Sequence, residues 1–209
     1  MAFLLITGLL VLFAIRLFYV LFHLQEKPSK SLKTRSVLAV AGSGGHTTEI
    51  VRLLSSLPST FRPHSYVVAT SDKMSVKKIE SFESTEGSEN KFTLYKIPRS
   101  REVSQSWGST IITTFHACLA SFPIMWKSRP DILLCNGPGT CIPLCIVALI
   151  YKVLGICATD IVFVESMCRV TTMSLSGKIL YPFANRFYVQ WPQLLQQYPH
   201  AIYLGGRLV

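Results

Sequence analysis

The run Gly42-Ser43-Gly44-Gly45-His46 holds the residue types in this 209-residue chain best suited to chemistry. Glycine lacks a Cβ, so it takes positive φ and lets backbone N–H groups approach a ligand, and a helix opening behind it adds partial positive charge. Such a turn is built to hold an anion. His46 at its mouth is a candidate general base, since an imidazole titrates close to working pH. Each feature has a plainer alternative: a glycine-rich turn is often only a tight connection, and His46 could make a local hydrogen bond at a helix start. Two nucleotide motifs are excluded, because no Gly-Lys-Ser/Thr follows the turn and the Gly-x-Gly-x-x-Gly spacing is absent.

Three other clusters could contribute. Arg99 and Arg101, in Pro98-Arg99-Ser100-Arg101-Glu102, carry guanidinium groups that pair bidentately with phosphate or carboxylate; an ordinary solvated basic loop is the alternative. Asn136-Gly137-Pro138-Gly139-Thr140 is a second glycine turn. Glu165 and Arg169 follow an apolar run and could serve substrate binding or catalysis, or simply form a structural ion pair.

The elements that must position these groups alternate along the chain. Runs 36–41, 65–69, 92–97, 131–135, 160–164 and 186–190 are β-prone and apolar. Helical spacing follows them at 47–57, about 72–82 with Asp72 as cap, 109–126, 142–154, 174–180 and 191–198. Residues 83–90 are polar and rich in turn formers, which predicts an exposed loop without function, and 201–204 reads as a last extended segment. His116 is expected to be a core or interface residue. The alternation predicts one α/β domain over 36–209, a doubly wound, Rossmann-like parallel sheet, in which ligands bind outside the carboxyl ends of the strands.

The chain is 49% hydrophobic and only 15% charged, with a mean hydropathy of +0.38, and the apolar excess sits in residues 2–22. At about 1.5 Å per residue these span roughly 31 Å as a helix, matching a hydrocarbon core of about 30 Å. Residues 1–25 therefore read as an uncleaved transmembrane anchor, since neither a basic start nor a cleavage site marks a signal peptide. Arg16 must then snorkel or find a partner. Lys27, Lys30, Lys33 and Arg35 against Glu26 make residues 26–35 a basic linker that places the body in the cytosol. The net charge of +10 suits an anionic leaflet or substrate better than nucleic acid, because the basic residues form no long run. Six cysteines, mostly in apolar runs and without a Cys-x-x-Cys pair, predict reduced, buried thiols and no zinc site. Leu208 and Val209 leave an apolar tail that is either tucked into the protein's own core or covered by another chain.

Taken in order, five motifs resemble a known family: Gly42-Ser43-Gly44-Gly45-His46-Thr47-Thr48-Glu49, Pro98-Arg99-Ser100-Arg101-Glu102-Val103, Cys135-Asn136-Gly137-Pro138-Gly139-Thr140, Val164-Glu165-Ser166-Met167-Cys168-Arg169 and Leu175-Ser176-Gly177-Lys178. With the anchor in front and Gly206-Arg207-Leu208-Val209 behind, they closely resemble the membrane-anchor subunit of the transferase that adds the second N-acetylglucosamine to dolichol-diphosphate-linked sugar in asparagine-linked glycosylation. That family looks like the N-terminal, acceptor-binding half of a GT-B glycosyltransferase, similar to the N-terminal half of bacterial MurG. The resemblance implies a soluble partner subunit carrying the UDP-N-acetylglucosamine site, docked at Gly206, Arg207, Leu208 and Val209. It further implies a lipid-linked acceptor, N-acetylglucosamine-diphosphate-dolichol, a β1,4 product formed with inversion, and no metal or other cofactor. The location implied is the endoplasmic reticulum membrane and nuclear envelope, with the body on the cytosolic face. By motif match, His46 or Glu165 would act as base, while Gly42, Ser43, Gly44, Gly45, Thr47, Arg99, Arg101, Asn136, Gly137 and Arg169 would lie at the acceptor diphosphate. Two plain observations agree: no glycine-rich unit follows Cys168 to hold a nucleotide sugar, and the chain has no Asp-x-Asp. Glu49 departs from the pattern, since its charge opposes an anion held at that helix start. The rival reading is a non-catalytic membrane recruiter with a vestigial pocket.

Overall fold

The computed structural model describes residues 1–22, 34–85, 92–101 and 105–206. Strands β1 (Val37–Ala41), β2 (His64–Ala69), β3 (Thr93–Ile97), β4 (Ile132–Cys135), β5 (Asp160–Val164) and β6 (Arg186–Tyr188) pair in parallel in the order β3-β2-β1-β4-β5-β6. Helices α1 (Ala2–Phe22), α2 (Gly45–Ser55), α3 (Lys73–Thr85), α4 (Trp107–Ser128), α5 (Cys141–Val153) and α6 (Leu175–Leu180) precede and connect them. This is the doubly wound, Rossmann-like sheet that the alternation predicts. Central β1 is apolar at every position and buried throughout, as a parallel strand between covered faces must be, whereas edge strand β3 exposes Thr93 and Lys96.

Right-handed crossovers place the helices. Moving from β1 to β2 and β3 sets α2 and α3 on one face; returning past β1 to β4, β5 and β6 sets α4, α5 and α6 on the other. Ile50, Leu54 and Ile79 pack on Val37, Ala39, Tyr66 and Val68, while Ala117, Met125, Leu144 and Val147 pack on Leu38, Val40, Leu133 and Phe163. Among the described residues no helix lies over the sheet beyond β1 on the α2 face. An apolar groove of about 350 Å³ lies there, lined among others by Leu53, Ile132, Leu134, Val162, Tyr188 and Leu204.

Several expectations are corrected. Helix α3 continues to Thr85, so Glu83 is not in an exposed loop: its carboxylate is buried, 2.9 Å from His64 Nδ1, hydrogen-bonded by the Tyr66 hydroxyl and 3.7 Å from Arg62. Those partners lie on another element, and polar composition alone cannot reveal them. Residues 86–90 of the expected loop lie outside the described residues. The expected helix 191–198 is a short 3₁₀ turn, Pro192–Gln196, preceded by Trp191, whose indole N–H donates to the Met167 carbonyl at 2.7 Å. Strand β6 stops at Tyr188, and 201–204 contributes a single bridge from Ile202 to Tyr188. His116 is exposed on α4, not core. Cys135, Cys141 and Cys145 are buried and Cys118 and Cys157 half-buried, but Cys168 is exposed; all six are free thiols. Burial pushes the Cys135 thiol well above the usual range, with help from neighbouring Cys141 and Cys145.

Helices α1 and α4 are long and apolar enough to cross a membrane. They sit differently. α1 is open to its surroundings along nearly all its length and touches the body through Val20, which packs with Val153 and Leu149 of α5. Arg16 finds its partner there, its Nε 3.4 Å from the Val153 carbonyl at the end of α5, where a cation complements the helix dipole. α4 is packed on the body through Ala117, Ser121, Ile124 and Met125, and exposes Ile111, Ile112, Phe115 and Leu119 along one stripe.

Candidate active site

Strands β1 and β4 are neighbours, although the chain visits β2 and β3 between them. That reversal opens a crevice at the carboxyl edge of the sheet, between the turn after β1 and the turn after β4. The two turns interlock. Gly42 is buried, and a Cβ on it would lie 2.6 Å from Pro138 Cβ, so only glycine lets them meet. Gly44 takes φ +67°, and α2 opens behind it with no side-chain cap, leaving its first N–H groups open to an anion. Lys78 of α3 reaches over the same turn, its Nζ 3.0 Å from Thr48 Oγ1 and 3.4 Å from the Gly44 carbonyl.

His46 is half-buried at the crevice, its Nδ1 2.9 Å from Asn136 Oδ1. The orientation of Asn136 is set from behind: its Nδ2 donates to the Val164 carbonyl at 3.1 Å, and a carbonyl can only accept. Oδ1 must therefore face His46, and neutral His46 carries its proton on Nδ1. Its Nε2 lone pair is left for a substrate. Gly137, at φ +71°, completes the arrangement, since a Cβ there would stand 2.8 Å from His46 Cε1.

Glu165 is fully buried and engaged at both oxygens. Oε1 accepts the Ser166 N–H at 3.0 Å; Oε2 accepts the Ser174 N–H and hydroxyl, each at 2.9 Å. Ser174 in turn caps α6, accepting the Gly177 N–H at 2.9 Å, and a Cβ on Gly177 would collide with Glu165 Oε2. Glu165 thus ties its own loop to the start of α6. Arg169 is exposed, and among the described residues no ion pair joins it to Glu165.

A cavity of about 460 Å³ unites these parts. Of the residues singled out from sequence, it gathers Ser43, Gly45, His46, Gly137, Glu165 and Arg169 in its lining. Asn136 stands behind His46, and Gly42 and Gly44 shape the turn. Thr47 faces inward: its buried hydroxyl bonds the Gly42 carbonyl and lies 2.6 Å from Ser75 Oγ, holding the turn from beneath. Arg99, half-buried, and Arg101, exposed, stand at the end of β3 outside the lining. Gly206 is exposed, and Arg207, Leu208 and Val209 lie outside the described residues. The cavity adds Glu49, Ser166, Cys168 and Ser174. Glu49 was findable, because it follows His46 by three residues and so shares its helix face; the serines carry no local signal.

The profile of the family described as "Oligosaccharide biosynthesis protein Alg14 like" matches residues 37–207. A human protein named UDP-N-acetylglucosamine transferase subunit ALG14 is 49% identical over 201 residues, 93% of this chain and 92% of its own length. Proteins bearing the same name from Yarrowia lipolytica and Schizosaccharomyces pombe are 38% and 43% identical over 206 and 175 residues, covering 95% and 82% of this chain and 94% and 82% of their own. Among solved structures, Acinetobacter baumannii MurG is similar with a TM-score of 0.54 at 14% identity, over 75% of this chain and 41% of that one. A Listeria monocytogenes protein described as a UDP-N-acetylglucosamine 2-epimerase has a TM-score of 0.58 at 14% identity, over 81% and 42%. At such identity the likeness is one of fold: this chain corresponds to less than half of each structure.

Proposed function

The chain belongs to the Alg14 family, and on that premise we propose that it is the membrane-held, acceptor-binding subunit of a UDP-N-acetylglucosamine transferase, working with a soluble subunit that binds the donor. The acceptor is N-acetylglucosamine-diphosphate-dolichol, an intermediate of N-linked glycan assembly, and the product is β1,4-linked. In the reaction the acceptor hydroxyl attacks the anomeric carbon of UDP-N-acetylglucosamine from the face opposite UDP, the C–O bond to UDP breaks, and configuration inverts. His46 Nε2 takes the hydroxyl proton. The observation that carries this reading is the Val164–Asn136–His46 chain, which leaves a basic nitrogen at a cavity on the sheet's switch point.

Charge within the site supports a direction for the acceptor. Ser43, the open start of α2, Lys78 and Arg169 lie outward, suited to the diphosphate, whereas the buried carboxylate of Glu165 makes the inner end unsuited to an anion and leaves it to the sugar. Helix α1, as an anchor in the endoplasmic reticulum membrane and nuclear envelope, keeps the body at the cytosolic surface where a dolichol-linked headgroup is presented. The donor subunit docks near the C-terminus, beside the uncovered sheet face that Leu204 borders.

The test is transfer by the reconstituted two-subunit complex carrying His46→Ala. A fall of about 10²- to 10⁴-fold in turnover, with partner recovery unchanged, is expected for loss of a general base. Unaltered turnover would instead favour the recruiter with a vestigial pocket.

A further inference from the structure

Glu49 is a buried acid that the reaction outlined above leaves without a task. It lies 94% buried on α2, one turn beyond His46, and lines the same cavity. Its Oε1 is held by the Ser166 hydroxyl at 2.8 Å. Its Oε2 is buried as well and has no hydrogen-bond partner. An unpaired carboxylate oxygen removed from water is costly, so in native proteins it usually marks a place where something else binds. No ion pair offsets it among the described residues.

The ligand chemistry follows from the surroundings. An ionised carboxylate accepts hydrogen bonds only, so it requires an O–H or N–H donor. An anion is repelled, which keeps the diphosphate away from this position. Ser166 works as a clamp: its N–H goes to Glu165 and its hydroxyl to Glu49, so both acids are aimed from a single residue. Because Glu49 and His46 are three residues apart on one helix, a sugar whose reacting hydroxyl meets His46 Nε2 brings a neighbouring ring substituent to Glu49.

We propose that Glu49 Oε2 accepts a hydrogen bond from a non-reacting hydroxyl of the acceptor sugar, and so fixes which hydroxyl is presented to His46. This rests on the acceptor-binding reading above, and the experiment separates the two. Steady-state transfer is measured with the full chain in complex with its donor-binding subunit, using the lipid-linked N-acetylglucosamine acceptor and its 3-deoxy and 6-deoxy analogues. Glu49→Ala should raise KM for the natural acceptor about ten- to a hundredfold while leaving KM for UDP-N-acetylglucosamine within twofold. Glu49→Gln keeps the volume and can still accept through its amide oxygen, so it should be affected severalfold less. For one of the two deoxy analogues the Glu49→Ala penalty should vanish, because the donor it would lose is already gone. Should Glu49→Ala lower the yield of complex, Glu49→Gln carries the same analogue comparison. A penalty equal across all three acceptors, or an unchanged acceptor KM in an active complex, would overturn this inference and leave the functional reading standing. A wild-type complex that transfers no sugar would overturn both.

Discussion

Glycine at 137 decides where the imidazole of His46 can lie. Gly137→Ala adds a methyl group 2.8 Å from His46 Cε1 at a φ of +71°, so either the ring or the turn must move. Displacing a catalytic group by about 1 Å can cost roughly 10²-fold, and an alanine at positive φ costs about 1–2 kcal/mol of stability. The expected outcome is turnover reduced by about 10²-fold with the partner still bound; normal turnover would remove the basis for the His46 orientation. At this scale the sequence singles out His46 and the glycines of both turns, and the fold brings the two turns together at one cavity. The role of Asn136 is invisible until Val164 is beside it, and a hydroxyl such as Thr47, in a first helical turn, faces either a ligand or the core with the same local sequence. In sequence Glu49 reads only as an electrostatic offence to an anion, and its place in one cavity with His46 and Glu165 emerges with the fold.

Among the elements, α4 is the one whose composition points two ways. It passes for a membrane span by length and apolarity, yet Ala117, Ser121, Ile124 and Met125 are buried in the body, while Ile111, Ile112, Phe115 and Leu119 remain 52% to 72% exposed. If α1 anchors the chain as proposed, this exposed stripe of large apolar residues is expected to lie against the bilayer surface and not across it. In reconstituted vesicles a photoactivatable lipid should mark the peptide containing Phe115 and Leu119 as well as α1, and should leave exposed Met74 of α3 unmarked. Labelling of α1 alone would sink the idea. The strands and most helices were legible because buried parallel strands are continuous apolar runs, and two of them, β1 and β4, stop at glycine turns. The last turn of α3, residues 83–85, was not: Glu83 looks like loop composition, and only His64, Tyr66 and Arg62 from around β2 explain its burial. The turn after Trp191 is likewise held by a tertiary bond to Met167, which overrides helical propensity.

For the whole molecule, the winding of the sheet leaves an asymmetry. The crossovers put α4, α5 and α6 on one face, and α2 and α3 reach only the β1–β3 half of the other, so Ile132, Leu134, Val162 and Tyr188 line an open groove. No residue-level pattern announces this gap, because strand order is not written in local periodicity. Ile132 and Leu134 are already buried at the floor of the groove, so a soluble partner seated there would gain mainly from covering the half-buried Val162 and Tyr188 and exposed Leu204. Val162→Asp should therefore cut recovery of the donor-binding subunit by tenfold or more, and deletion of Arg207–Val209 should do the same, with the chain still folded and membrane-bound in each case. Undiminished recovery in both would move the docking site elsewhere.

The separation of His46 from Asn136 by 90 residues also sets a timetable for synthesis. At about 5–20 residues per second, the ribosome needs roughly 5–18 s after releasing His46 to deliver its partner. During that wait β1, β2 and β3 can pair with one another, but the edge of β1 that belongs to β4 stays open as an apolar strand flank. Long-range parallel pairing is intrinsically slow and leaves such edges prone to aggregation. The nascent chain thus carries a vulnerability at the future crevice between β1 and β4, and a chaperone that shields β1 until β4 arrives would act on yield without touching turnover.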